Sequence, residues 1–185
     1  MVDASVSGLV ARMVDVMKLP NLREWGITLW VLLGYAAIAL PIGFSQGFLQ
    51  VKLWDASGWR YTRMSVQLLV MPSFVEELIF RVLLLPSPAP TVLKSGWIIW
   101  AIASLIVFVI CHPLNAKTLY KAADPTFFNP IFLTLAALLG LACTVAYFLT
   151  GSLLAITLIH WVAVVIWLMA LGGMEKLDPH PSESS

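Results

Sequence analysis

Apolar residues run along most of this chain in long blocks, without the every-second-residue alternation of a half-buried strand. Blocks close to the ~20 residues that cross a bilayer as a helix predict spans over residues 25–49, 64–85, 91–112, 130–148 and 153–171. In lipid only helices or closed barrels satisfy the backbone, and the missing period-two pattern selects helices. Breaker residues divide the blocks. Pro41 marks a kink or break in the first, Pro86, Pro88 and Pro90 form a rigid connection, and Pro113 stops the third. Thr150-Gly151-Ser152 is a tight turn that Ser152 serves, and Gly172-Gly173 ends the last span. Ahead of them Val6, Leu9, Val10, Met13, Val14 and Met17 recur at helical spacing, with Arg12, Asp15 and Lys18 elsewhere on the wheel. That predicts a short amphipathic helix on the membrane surface, ended by Leu19-Pro20-Asn21.

The predicted fold class is therefore all-α, a polytopic transmembrane helix bundle with an N-terminal amphipathic helix. Residues 1–24 form an interfacial segment, 25–172 the transmembrane domain, and 173–185 a polar tail whose Pro, Ser and charge predict disorder. There is no internal repeat.

Composition strengthens this picture. The chain is 60% hydrophobic and 11% charged, against about 25% charged in a soluble domain, so its outer surface must face lipid. A net charge of +1 without a basic stripe excludes a nucleic-acid partner. Cys111 and Cys143 lie in apolar helices and read as small core residues, not as a disulfide or metal pair. Asp3 and Asp15 interrupt the N-terminus, which does not have the form of a signal peptide. Lys52, Arg60, Arg63, Lys117, Lys121 and Lys176 fall on one side of a five-span topology, and Arg12, Lys18, Arg23 and Lys94 on the other. That imbalance places the C-terminal tail in the cytoplasm.

Five polar groups inside the apolar blocks carry the candidate chemistry. A charge at the centre of a membrane helix costs about 2.5–3.5 kcal/mol, and such residues normally face a bundle interior or a wet cavity. The second block holds Glu76, Glu77 and Arg81. Glu77 and Arg81 are four apart and can pair on one face. Glu76 lies about 100° away around the helix, which leaves it to face a cavity as a general base. His112 ends the third block, one turn after Phe108, and His160 lies midway along the fifth. At ~1.5 Å rise per residue, Glu76 is about 15 Å deep, His160 about 12–14 Å and His112 about 22–27 Å. Glu76 and His160 can therefore meet, whereas His112 needs tilt or a late helix start. His180, in the tail, is assigned no site.

Several routes to hydrolysis within a membrane are excluded. There is no HExxH zinc motif, no Asp in any span for an aspartyl dyad, and no serine elbow. A carboxylate and two histidines remain. Glu76 can activate water beside one His while the other polarises a scissile carbonyl. The same residues, Glu76, His112 and His160, are also a zinc-ligand set. At the level of the residues both readings stay open.

The order Glu76-Glu77-x-x-x-Arg81, Phe108-x-x-x-His112, and Thr150-Gly151-Ser152-Leu153 ahead of His160 resembles the motifs of the CPBP family. This is the CAAX protease and bacteriocin-processing group, also called Abi proteins. The resemblance covers about residues 65–172. It implies a glutamic-type intramembrane endopeptidase acting on membrane-associated or prenylated, hydrophobic substrates. Glu76 would activate water, His112 and His160 would complete the site, and Glu77 and Arg81 would support it. The family is generally considered to need no metal, so the expected cofactor is none, with zinc as the alternative. The expected partners are the bilayer and a membrane-protein or lipidated peptide substrate. The stretch from His112-Pro113-Leu114-Asn115 to His160-Trp161 also resembles a cyanobacterial or plastid branch, which places the chain in a plasma or thylakoid membrane.

Two positions depart from the family pattern. The last motif is usually His-x-x-x-Asn, whose Asn donates to the oxyanion, and here Val164 has no donor. Losing such a donor costs on the order of 10²–10³ in rate. Either Asn115 or another group substitutes, or the chain is a slow or inactive pseudoprotease that binds hydrophobic segments or serves assembly or immunity. Val82 also stands where many members have Gly. A proton-linked transport role would use similar groups, but the repeat typical of many transporters is missing.

Overall fold

The computed structural model describes residues 6–88, 95–118 and 124–177. Its elements are helices: α1 (Val6–Val16), α2 (Leu22–Ser45), α3 (Gly58–Leu68), an irregular α4 (69–83), α5 (Ser95–Thr118), α6 (Asp124–Phe127), α7 (Pro130–Thr150), α8 (Leu153–Ala170) and α9 (Gly173–Leu177). Among the described residues four stretches are long and apolar enough to cross a membrane: Leu22–Ser45, Gly96–Lys117, Pro130–Thr150 and Leu153–Ala170. The chain is thus an integral, all-α bundle.

Local chemistry explains where the helices begin and turn. Asn21 and Glu24 form a capping box at the start of α2, with backbone-to-side-chain bonds of 2.8 and 3.0 Å. Asn129 caps α7 and Ser152 caps α8. Between them Gly151, at φ 62°, supplies the left-handed residue that ends α7, and its N–H bonds Tyr147 O at 2.8 Å.

Neither proline ends its helix. Pro41 lies within α2, and Pro113 lies within α5, which continues to Thr118. A proline removes one intrahelical bond, and a membrane helix tolerates that where a neighbouring group or local adjustment re-satisfies the carbonyl. The expected start of this span at Thr91 lies outside the described residues.

α7 packs against α2, α5 and α8, and α8 packs against α4. The core at their junction includes Val82, Leu85, Cys143, Tyr147, Leu153, Ile156 and Ile159, each no more than 1% exposed. α1 is tied to this core. Val16 is buried in it with Met13 alongside, the Arg12 guanidinium donates to Leu85 O, and Ser152 Oγ donates to Lys18 O at 3.4 Å.

At the other end of α8, the segment after α2 covers the last carbonyls. Lys52 N bonds Ala170 O at 3.0 Å and Trp54 N bonds Met169 O at 2.8 Å. The chain stays ordered past Gly172, where a disordered tail is expected from composition. Met174 and Leu177 of α9 pack onto Leu168 and Met169, Thr126 Oγ1 donates to Lys176 O at 2.6 Å, and Glu175 pairs with Lys52. Apolar contact and two polar ties outweigh the polar composition over 173–177; the rest of the tail lies outside the described residues.

Candidate active site

The segment expected as one regular span over 64–85 is interrupted. Pro72 disfavours helical backbone at the residue before it, and Met71 is extended at φ −133° and ψ 117°. Beyond it Val75–Glu77 is followed by a wide, π-type turn over Leu78–Leu83, a device common at functional sites. Three tethers hold this irregular element. Trp161 Nε1 donates to Ser65 O at 2.8 Å, Ser104 Oγ to Phe80 O at 2.5 Å, and Arg81 Nη2 to Gly140 O at 2.8 Å. They fix α3 to α8, and α4 to α5 and α7.

The i, i+4 pair foreseen from spacing is present. Arg81 Nε stands 3.3 Å from Glu77 Oε2, with both side chains at 1% exposure or less. Neither atom has hydrogen-bond alignment, so the contact is coulombic. The guanidinium carbon also lies 4.5 Å from the centroid of the Phe108 ring, a cation–π contact. Glu77 has a second partner that spacing did not reveal. Its Oε1 lies 2.7 Å from Nδ1 of the buried His160. A paired carboxylate accepts, so the ring proton sits on Nδ1. The other nitrogen, Nε2, faces Glu76 Oε2 across 3.8 Å. Glu76 is 17% exposed and lines the adjoining cavity, and its Oε2 is buried without a hydrogen-bond partner.

His112 joins this group through Phe108. Its Nδ1 donates to Phe108 O at 3.0 Å, and its ring stands edge-on to Phe108 with centroids 4.9 Å apart. The same phenyl ring lies edge-on to His160 at 6.2 Å. A carbonyl only accepts, so His112 also carries its proton on Nδ1 in the neutral form and presents Nε2 as an acceptor.

Glu76, Phe108, His112, Asn115, His160 and Val164 all line one cavity of about 870 Å³. Its walls are largely apolar, with Leu32, Ala36 and Ala39 from α2, Met64 and Leu68 from α3, and Trp167 from α8. Among the described residues that line it, Glu76 is the only Asp, Glu, Lys or Arg. Val82, the second departure from the family pattern, is fully buried in the core.

Metal-ligand geometry falls elsewhere than the residues suggested. Among the described residues, Glu77, Cys143 and His160 are the three whose ligand atoms come within 4.8 Å of one another; Glu76, His112 and His160 do not gather so closely. Two ligands of a tetrahedral zinc at ~2.0–2.1 Å stand about 3.3 Å apart. The 2.7 Å between Glu77 and His160 is instead a direct hydrogen bond, and Arg81 already neutralises Glu77. Sequence reasoning missed Cys143 and Gly140 as neighbours of the site. An apolar helix containing a small residue carries no signal of what packs on it.

Comparison with known proteins follows the same residues. The family model described as Type II CAAX prenyl endopeptidase Rce1-like matches residues 58–166, which is 109 of 185. The match runs from α3 into α8 and contains Glu76, Glu77, Arg81, Phe108, His112, Asn115 and His160. Searches of curated proteins and of solved structures give no match. Ordered motifs, a helical membrane bundle and a family match over more than half of the sequence agree, and the chain belongs to the Rce1-like family of type II CAAX prenyl endopeptidases.

Proposed function

We propose that this chain is a glutamic-type intramembrane endopeptidase in which Glu76 activates the attacking water. The observation that carries the proposal is the 3.8 Å approach of Glu76 Oε2 to His160 Nε2, with Glu77 holding the opposite ring nitrogen. Two acceptors at that spacing suit one water, which can give an O–H to each at about 2.8 Å. Glu76 takes one proton as the water oxygen bonds the scissile carbonyl carbon. The C–N bond then breaks and the proton passes from Glu76 to the leaving amine.

Glu77 acts through His160, and Arg81 acts through Glu77. The Phe108 carbonyl sets the His112 tautomer. Neutral His112 therefore orients water or accepts a substrate N–H, and it polarises a carbonyl only as the imidazolium. Asn115, one of two side-chain amides lining the cavity with Gln67, can stand in for the donor missing at Val164. The reaction in this scheme requires no metal. The largely apolar cavity suits hydrophobic or prenylated segments of membrane-associated proteins.

Val164 on the cavity wall supports a second reading, a binding protein on a protease fold. Proteolysis in liposomes separates the two. Wild type should cleave and Glu76→Gln should not; a folded wild type that binds hydrophobic segments without cutting them favours the second.

A further inference from the structure

The chain of contacts that reaches Glu76 begins at a residue with no side chain. The carbonyl of Gly140, on α7, accepts the 2.8 Å bond from Arg81 Nη2. A Cβ placed on Gly140 would stand 2.7 Å from Leu105 Cδ1, 2.9 Å from Arg81 Nη2 and 3.0 Å from Phe108 Cδ1. Real Cβ atoms essentially never come closer than 3.0 Å, so something must move.

Two of these three neighbours lead to a histidine. Arg81 pairs with Glu77, and Glu77 holds His160 Nδ1. Phe108 holds His112 through its carbonyl and touches both imidazoles with its ring. Leu105 bonds neither histidine nor the groups that hold them; it packs on the cluster around Phe108 and is only half-buried, so it can turn aside. Glycine is otherwise an unfavourable residue inside a helix. From this geometry we infer that Gly140 is a positioning residue for the active site. Its missing side chain lets Arg81 and Phe108 close onto α7, which orients His160 towards Glu76 and sets the ring of His112. The inference rests on the reading of Glu76 and His160 as the hydrolytic pair.

The test uses the full chain in liposomes with a farnesylated, internally quenched peptide, together with ¹⁵N spectra of the imidazoles. Gly140→Ala should lower kcat by about 10²-fold, the scale of a small misplacement of reacting groups, with KM little changed. The Nδ1–H resonance of His160 should shift. Adding Leu105→Ala relieves the 2.7 Å contact but leaves those with Arg81 and Phe108, and should not restore kcat. Gly26→Ala, where a Cβ meets nothing within 4 Å, should behave as wild type. If Gly140→Ala does not insert stably, the double variant carries the same comparison. Unchanged imidazole spectra overturn the inference, and so does full recovery of kcat by Leu105→Ala. If wild type hydrolyses nothing, the reaction scheme fails, and the spectra alone decide Gly140: shifted resonances uphold it and unshifted ones overturn it.

Discussion

Replacing Glu77 by Gln should harm both stability and catalysis, and a second substitution should separate the two effects. The wild-type carboxylate is fully buried between Arg81 at 3.3 Å and His160 at 2.7 Å. Breaking a buried pair by removing one partner costs about 3–5 kcal/mol. Here Arg81 keeps the Gly140 carbonyl and the Phe108 ring, so the loss should lie near ~3 kcal/mol, or on the order of 10²-fold in the folding equilibrium. Arg81→Met alone should cost a similar amount, because it strands the carboxylate. With both changed, no uncompensated charge remains, and such replacements are often near neutral. The double variant should therefore recover most of the stability while catalysis stays low, since a neutral amide does not hold the His160 tautomer as a carboxylate does. Unfolding in detergent measures the first effect and single-turnover cleavage the second. If the two losses of stability simply add, or if Glu77→Gln unfolds like wild type, the pairing argument is wrong.

Val164→Asn should raise the cleavage rate by on the order of 10²-fold if the oxyanion lacks a donor, read as single-turnover rate against wild type. Asn115→Ala should abolish cleavage and Val164→Asn should rescue it if Asn115 is the native donor; an active, unchanged Asn115→Ala enzyme removes Asn115 from the site. Chelation followed by metal analysis should leave activity intact, whereas stoichiometric zinc whose removal stops cleavage would replace the glutamate scheme by a metal one.

Charge inside apolar helices was the most legible feature of the sequence. Spacing alone paired Glu77 with Arg81 and left Glu76 for a cavity, and both placements appear in the structure. Depth counting brought Glu76 and His160 together and left His112 too deep. In the structure His112 meets the group through Phe108, a ring contact that linear rise does not describe. The second role of Glu77 was hidden because its partner lies 83 residues away. A local breaker rule stops the third span at Pro113, yet α5 continues past it, because that rule omits the groups that can re-satisfy a freed carbonyl in a packed membrane helix. The helical continuation over Gly173–Leu177 was hidden for a related reason: its polar partners, Lys52 and Thr126, come from distant segments. Gly140 had no readable signal, since its role lies in the side chain it lacks.

The most direct test of the account is proteolysis of a co-reconstituted membrane proteome by wild type and by Glu76→Gln, with new N-termini mapped by mass spectrometry. Glu76 faces the cavity and its Oε2 has no hydrogen-bond partner, so Glu76→Gln strands no buried charge and should leave the protein folded. Cleavage products should appear with wild type and be absent with the folded variant. Equal cleavage by Glu76→Gln, or a folded wild type that generates no new termini, would contradict the assignment of Glu76 as the group that activates water.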